Sequence, residues 1–366
     1  MKVLYFTDAH FHNWPLHSSI LASGRNSRFQ DALDILDQIF EYSKANNINT
    51  ILFGGDLFET RKRIVVPIFN EVFVRLKAMA ALNIKLFLLP GNHDQADKTG
   101  TTHALEAFKE FATVMDEPGW YIDQDTGLGI LACPYTEDFE QVKKTLTFPP
   151  DQPVKYPIIM LHTGIEGAKL SINDFELDGN IKQDDIIQNQ KYKFCLVGHY
   201  HLPQDLGNNI IYGGSPSANT WGDPPVVGRG FIEADLNTGE YKRIPVKAPQ
   251  FLVVPHDELE TFFDQLKDNF VRVLVPKRLS KTEHDQLHDY MKTTGARDFI
   301  IEDTPQADPA EVDPSRPVIS PATGYAEMVG QYVEKIAPNY PELVEAPVLQ
   351  TIGMDIINQV LQEEEK

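Results

Sequence analysis

Short apolar runs alternate with helical periodicity over the first 250 residues. Val3 to Phe6 (VLYF), Thr50 to Phe53 (TILF), Leu86 to Leu89 (LFLL), Gly129 to Ala132 (GILA), Ile158 to Leu161 (IIML) and Phe194 to Val197 (FCLV) each end in turn or polar residues, the pattern of buried strands. Between the first two runs, Phe29, Ala32, Leu33, Leu36, Ile39 and Phe40 recur at helical spacing and predict a helix over Phe29 to Lys44. Strand, helix and strand in alternation predict an α/β fold with helices covering sheet faces. From Ile211 to Val246 the chain turns Gly- and Pro-rich around GFIEADL and EYKRIPV, which predicts a second, antiparallel portion.

A smaller β-α-β-α-β module is expected next. Its strands are Phe251 to Val254, Val271 to Val275 and Asp298 to Glu302, with helices over Asp257 to Asn269 and Thr282 to Thr293. Ser280 and Glu283 stand at S-x-x-E spacing, where each side chain can satisfy the other residue's backbone N–H at a helix start. Pro305, Pro309, Pro314, Pro317 and Pro321 then exclude helix and central strand, so 303–321 is expected to be a semi-rigid linker. Beyond it, Tyr325, Met328, Val329, Tyr332, Val333 and Ile336 form one apolar face, and Leu349, Ile352, Ile356 and Val360 a second. Two such helices cannot bury both faces within 322–366; they fold back on the body or dock on a partner.

Composition narrows the classes. Hydrophobic content of 42% is that of a globular chain, and a net charge of −20 argues against a surface that attracts polyanions everywhere. Thirteen acids and three bases fall in 302–366, so half of that excess belongs to the linker and tail. Cys133 and Cys195 both sit in apolar runs, which argues against a disulfide framework and fits a reducing compartment. No run approaches the ~20 apolar residues of a membrane span. The expected setting is soluble and intracellular.

The strand ends carry the chemistry. VLYF runs into Thr7, Asp8, Ala9 and His10; TILF into Gly54, Gly55 and Asp56; LFLL into Pro90, Gly91, Asn92, His93 and Asp94. IIML runs into His162, and FCLV into Gly198, His199, Tyr200 and His201. Ligands of open α/β sheets bind at the carboxyl ends of strands, so these groups are expected on one edge. Asp8 and His10, two apart in an extended strand, would leave the same face and could share an ion, as could His199 and His201. Imidazole with carboxylate and amide oxygen suits Mn, Fe or Zn better than Mg or Ca. Asp56, after two glycines, could bridge a pair of ions that activates a water and clamps a phosphate.

The ordered set D-x-H, G-G-D, G-N-H-D, strand-end His and G-H-x-H resembles that of the calcineurin-like metallophosphoesterases. MKVLYFTDAH, GGDLFET, LPGNHD, VGHYH and IYGGSPSANTWGD followed by GRGFIEADL further resemble the SbcD-type nuclease subunits of double-strand-break repair and their phage recombination relatives. The likeness spans about residues 1–302. It implies a four-layer β-sandwich flanked by helices over 1–250, a small α+β capping domain over 251–302, and C-terminal helices that bind the coiled-coil root of an SMC-like ATPase of SbcC type. It also implies two Mn²⁺, with Mg²⁺, Fe²⁺ or Zn²⁺ as substitutes. Asp8, His10, Asp56 and His201 would hold the first ion, and Asp56, Asn92, His162 and His199 the second. His93 would serve the leaving oxygen, with Asp94 orienting it. The implied activity is 3′ to 5′ exonuclease on duplex ends and single-strand endonuclease, by a homodimer that pairs through helices such as Val65 to Ala80 and Thr102 to Phe111. Glu59 stands where some cellular members place a histidine.

DNA would need local cations on this acidic chain. Arg25, Arg28, Arg61, Lys62, Arg63 and Lys98 lie near the metal motifs and are the candidates. Trp221 could stack on a base or pack in a core, and His12 and His17 could line the mouth of the site. His103, His256, His284 and His288 are expected on the surface or on helix faces. Two rival functions remain at this point: hydrolysis of a small phosphate ester or cyclic nucleotide, and a DNA-end or ATPase scaffold without catalysis.

Overall fold

Along β1 (Lys2–Phe6) successive side chains leave opposite faces: Val3 and Tyr5 enter one apolar core, Leu4 and Phe6 another. That division recurs along the chain and sets the layers. A computed structural model describes residues 1–97, 100–169, 181–188, 191–223 and 228–303. Lys98, the linker beyond Asp303 and the tail helices lie outside the described residues.

The first half runs α1 (Ser27–Ala45), β2 (Thr50–Phe53), α2 (Val66–Ala81), β3 (Lys85–Leu88), β4 (Thr113–Val114), β5 (Gly119–Asp123), β6 (Leu128–Cys133), α3 (Phe139–Leu146) and β7 (Tyr156–His162). There follow α4 (Gln183–Ile187), β8 (Cys195–Gly198), β9 (Gln204–Asp205), β10 (Ile210–Tyr212), β11 (Gly230–Asp235) and β12 (Glu240–Pro245). The small module comprises β13 (Phe251–Pro255), α5 (Phe263–Leu266), β14 (Phe270–Val275), α6 (Lys281–Thr293) and β15 (Asp298–Asp303). One compact unit covers Met1–Val275 with Leu279–Glu302; Pro276–Arg278 and Asp303 belong to another, whose remaining residues are not described.

Two six-stranded mixed sheets form the body, ordered β12-β11-β1-β2-β3-β4 and β5-β6-β7-β8-β10-β9. Parallel strands β1, β2 and β3 centre the first, and β6, β7, β8 and β10 the second. Val3, Tyr5 and Leu52 meet Ile130, Ile158, Met160 and Leu196 between the sheets. Leu4, Phe6, Ile51 and Phe53 instead bury against Leu33, Leu36 and Ile39 of α1 and Val72 and Leu76 of α2. Ile159, Leu161 and Val197 meet Val142 and Leu146 of α3 on the far side. Each such side chain contributes about 1.5–3 kcal/mol by leaving water, and together they stack helix, sheet, sheet and helix. The expected antiparallel portion is β11 and β12, which pair with each other and join β1.

In the small module β14 is central, flanked by parallel β13 and by β15. The S-x-x-E reading holds: Ser280 N–H donates to Glu283 Oε2 at 2.9 Å, and Glu283 N–H to Ser280 Oγ at 3.3 Å. The helix expected over Asp257 to Asn269 is broken. A 3₁₀ turn (His256–Glu258) and the single turn of α5 replace it. Leu259 and Leu266 bury from these turns as well as they would from a helix, so the apolar spacing did not distinguish the two. Thr102 to Phe111 likewise holds only a 3₁₀ turn, Glu106–Glu110.

Candidate metal centre

The ends of β1, β2, β3, β7 and β8 meet on one edge, tied by Asp8 N–H to Gly55 O (2.8 Å), His10 N–H to Asp56 O (3.0 Å) and His199 N–H to Asp8 Oδ1 (3.1 Å). The extended geometry expected for D-x-H is not found. Asp8 (φ 54°), His10 (φ 46°), Asp56 (φ 60°) and His199 (φ 93°) are left-handed, a conformation costing about 1–3 kcal/mol for non-glycine residues. Their hydrogen-bonded backbones hold it, and it turns the side chains inward. Gly91 is required for close approach: a Cβ there would fall 2.2 Å from Asp56 Oδ1 and 2.7 Å from His162 Cε1.

Two donor sets form around Asp56. His10 Nε2 lies 3.0 Å from His201 Nε2 and 3.7 Å from Asp56 Oδ2, and Asp8, His10 and His201 bring ligand atoms within 4.8 Å of one another. His162 Nε2 lies 3.4 Å from the same Asp56 Oδ2 and 3.1 Å from Asn92 Oδ1, which in turn is 3.0 Å from His199 Nδ1. The tautomers follow from partners that can only accept. His162 Nδ1–H donates to Gly54 O at 2.7 Å and His201 Nδ1–H to Asp223 Oδ1 at 2.8 Å, which leaves both Nε2 atoms facing the centre. Asp8, Asp56 and His162 are at most 2% exposed, so water cannot neutralise this collection of acids and bases.

Electrostatics expresses the same need. Burial would lower His10, yet Glu59, Asp56 and Asp8 push it up to about 9; His162, also opposed by burial, is pushed to about 9 by Asp56. Burial and the neighbouring His162 lower His199 to about 3. Burial would raise Asp56, but the facing His162 and His10 hold it well below the carboxylate range. Buried carboxylates thus pair with imidazolium protons, and a divalent cation would take the place of those protons. The residues present fit two ions.

Asp94 does a different job from the one expected. Its carboxylate accepts from the N–H groups of Asp56 (2.8 Å), Leu57 (2.9 Å), Phe58 (3.3 Å) and Gly91 (3.0 Å), stitching the G-G-D loop to the G-N-H-D loop. His93 is oriented by Glu59 instead, its Nδ1–H donating to the Glu59 carbonyl at 2.6 Å. The Glu59 carboxylate reaches to 2.7 Å from His10 Nδ1, off the line of a hydrogen bond. Asp223 was missed by sequence reasoning. Its only trace there was the N-T-W-G-D turn, in which Asp223 Oδ2 accepts from Asn219 and Thr220 N–H while His201 holds its pKa down to about 2 against the effect of burial.

The cation candidates divide. Arg61, Lys62 and Arg63 are exposed. Arg25 pairs with Glu71 at 2.5 Å. Arg28 is not available to DNA: it is 8% exposed, bonded to the carbonyls of Leu16 and Asn219, and stacked over Trp14. Trp221 packs, with its ring 4.8 Å from Phe251. His17 turns from the site to Asp298 (2.7 Å), while His12 is half-buried near Trp14. His103, expected on the surface or on a helix face, is buried in a loop and pairs with Asp116 at 3.1 Å.

A model of the calcineurin-like phosphoesterases matches residues 1–203. A DNA double-strand break repair protein Mre11 from Methanocaldococcus jannaschii is 23% identical over 234 residues, 58% of this chain; the chain spans about 60% of that relative's length. Among solved structures, a dimetal phosphatase from Danio rerio is 10% identical with a TM-score of 0.37, covering 64% of this chain and 92% of its own. GAP50 of Plasmodium is 11% identical with a TM-score of 0.37, covering 68% and 89%. No described helix is long and apolar enough to cross a membrane.

Proposed function

Because the chain belongs to the calcineurin-like phosphoesterase family, whose members are metal-dependent hydrolases with a dinuclear site, we propose that it is a Mn²⁺-dependent DNA nuclease. The observation that carries the reading is the position of Asp56 Oδ2, 3.7 Å from His10 Nε2 and 3.4 Å from His162 Nε2, between two nitrogen-rich donor sets. Asp8, His10, Asp56 and His201 would hold one ion and Asp56, Asn92, His162 and His199 the other. When bound, the pair would supply a water activated at neutral pH and neutralise a phosphate's charge.

The chain's own groups do the rest. His93, whose Nδ1–H is anchored by the Glu59 carbonyl, keeps Nε2 for the substrate side; with Nε2 also protonated, it would hand that second proton to the departing sugar oxygen and return to the neutral ring. Its ring stands 4.9 Å from that of His10, beside the ion positions, and it is partly exposed. Asp94 keeps the loops of Asp56 and His93 in register through four backbone bonds. Exposed Arg61, Lys62 and Arg63 are the cations proposed to meet DNA phosphates.

DNA as the substrate is favoured by the likeness to Mre11, and with it come 3′ to 5′ exonuclease and single-strand endonuclease activities. A homodimer through α2 is proposed, where Val66 (68% exposed) and Val74 (62%) present apolar surface. An SMC-like ATPase is proposed to bind residues 322–366. Digestion of linear duplex and of a chromogenic phosphodiester, each with Mn²⁺, tests the substrate class. Fast turnover of the diester with no cleavage of DNA would replace the nuclease by a small-ester hydrolase.

A further inference from the structure

The small sheet of β13, β14 and β15 is joined to the loop that orients His201, and the join is polar and directional. Trp221 Nε1–H donates to His17 Nε2 at 3.0 Å. An indole nitrogen can only donate, so His17 carries its proton on Nδ1 and gives it to Asp298 Oδ2 on β15 at 2.7 Å. His17 holds a left-handed backbone (φ 57°), and its ring lies 6.1 Å from Phe251 of β13 and 6.0 Å from Phe270 of β14. The Trp221 ring is covered on the module side by Phe251 (4.8 Å) and by the Arg272 guanidinium (4.6 Å).

Trp221 is two residues from Asp223 in the same turn. The backbone of that turn is fixed a second time, by Arg28, which donates to Asn219 O while its guanidinium lies 5.2 Å from Phe251 and 5.7 Å from Phe270. Asn219 N–H in turn donates to Asp223 Oδ2 at 2.8 Å, and Asp223 Oδ1 accepts from His201 Nδ1. Contacts therefore run without a break from the small sheet to the imidazole nitrogen whose partner atom faces His10. They reach the first donor set. The partners of Asn92, His162 and His199 come instead from the body's own strand ends, and this second set meets the first through Asp56.

We propose that the small module controls the affinity of the first ion, with Trp221, His17 and Asp298 as positioning residues that act on His201 through Asp223. The inference rests on the two-ion reading above and deepens it: seating of the small sheet would set whether the first ion is held, while the second would stay in place. Partners of metal-bound histidines change affinity by about 10- to 100-fold. These residues stand beyond Asp223, so the lower end of that range is expected.

The test is Mn²⁺ binding to the full chain, followed by calorimetry and by the paramagnetic signal of free ion. Wild type is expected to bind two ions. Trp221→Phe, which removes the N–H donor and shortens the ring that packs on Phe251 and Arg272, and Asp298→Ala are expected to weaken one of the two by about tenfold and leave the other unchanged. Asp298→Asn, which can still accept from His17, is expected to bind as wild type does. Turnover of the weakened variants at low Mn²⁺ should fall and should recover as Mn²⁺ is raised, with KM for substrate unchanged. Arg297→Met is the control, since it removes the 2.5 Å bridge to Asp31 on α1 and leaves the bonds of His17, Trp221 and Asp223 in place; it should bind both ions normally. Unchanged affinities in Trp221→Phe and Asp298→Ala would overturn the proposal, as would an equal loss in Arg297→Met, which would mean general loosening. A wild-type chain that binds no Mn²⁺ would instead overturn the two-ion reading itself.

Discussion

His10 and His201 approach Nε2 to Nε2 at 3.0 Å, and only a proton or a metal ion between them reconciles two imidazole nitrogens at that distance. The ion-free protein uses a proton, and a cation would displace it. Mn²⁺ should therefore raise the thermal midpoint, by an amount equivalent to roughly 2.7 kcal/mol when the ion is at 100 times its dissociation constant. Chelation should reverse the shift and abolish hydrolysis together. Melting curves with Mn²⁺ and with EDTA check this, and superimposable curves would contradict it.

Asp94→Ala is expected to act on stability first. It strips an acceptor from four buried N–H groups, and each orphaned group costs about 1–3 kcal/mol. Urea unfolding should show a loss of at least about 3 kcal/mol. Had Asp94 served only to orient His93, turnover would drop at unchanged stability.

Gly91→Ala separates site from fold. The added methyl would meet Asp56 Oδ1 at 2.2 Å and the Asp56 backbone nitrogen at 2.5 Å, so the Asp56 loop and its carboxylate must both shift locally. Mn²⁺ affinity should fall at least about tenfold, the effect typical of disturbing a ligand's surroundings, while the far-ultraviolet dichroism stays that of the wild type.

Both thiols are buried, which pushes Cys133 up to about 12 and raises Cys195 well above its ordinary value. Neither should react with a disulfide reagent at pH 8 in the native protein, and both should on unfolding. An unfolded thiol loses its proton near pH 8.5, before the native one does. The unfolded chain then binds fewer protons, so this contribution to stability is complete below about pH 8.5 and is lost as pH rises toward 12. Rising alkaline stability over that window would contradict the assignment.

Much of this was legible in the sequence because strands buried on both sides are written as unbroken apolar runs, and the polar residue that ends each run is a departure from the pattern. Asp8, Asp56, His162 and His199 announce themselves in this way. The rest depends on tertiary contacts that local pattern does not encode. Asp223 lies 22 residues from His201 in a loop of ordinary turn composition. Asp94 follows His93 in sequence, yet its oxygens face the backbone of residues 56–58. Arg28 counts among the candidate cations because its charge is visible in the sequence and the carbonyls of Leu16 and Asn219 that hold it are not. The helix expected over Asp257 to Asn269 failed for a related reason: apolar spacing reports which residues are buried and leaves open the turn that buries them.

The account's central claim is most directly tested by digestion of end-labelled linear duplex in Mn²⁺ by the wild type, by His93→Ala and by Asp56→Ala. Wild type should shorten the labelled strand only when Mn²⁺ is present. His93→Ala should slow the reaction by about 10²- to 10⁴-fold, the usual contribution of an acid-base group, and Asp56→Ala should abolish it along with binding of the ions. Variants that digest the duplex as fast as wild type would contradict the assignment of this centre.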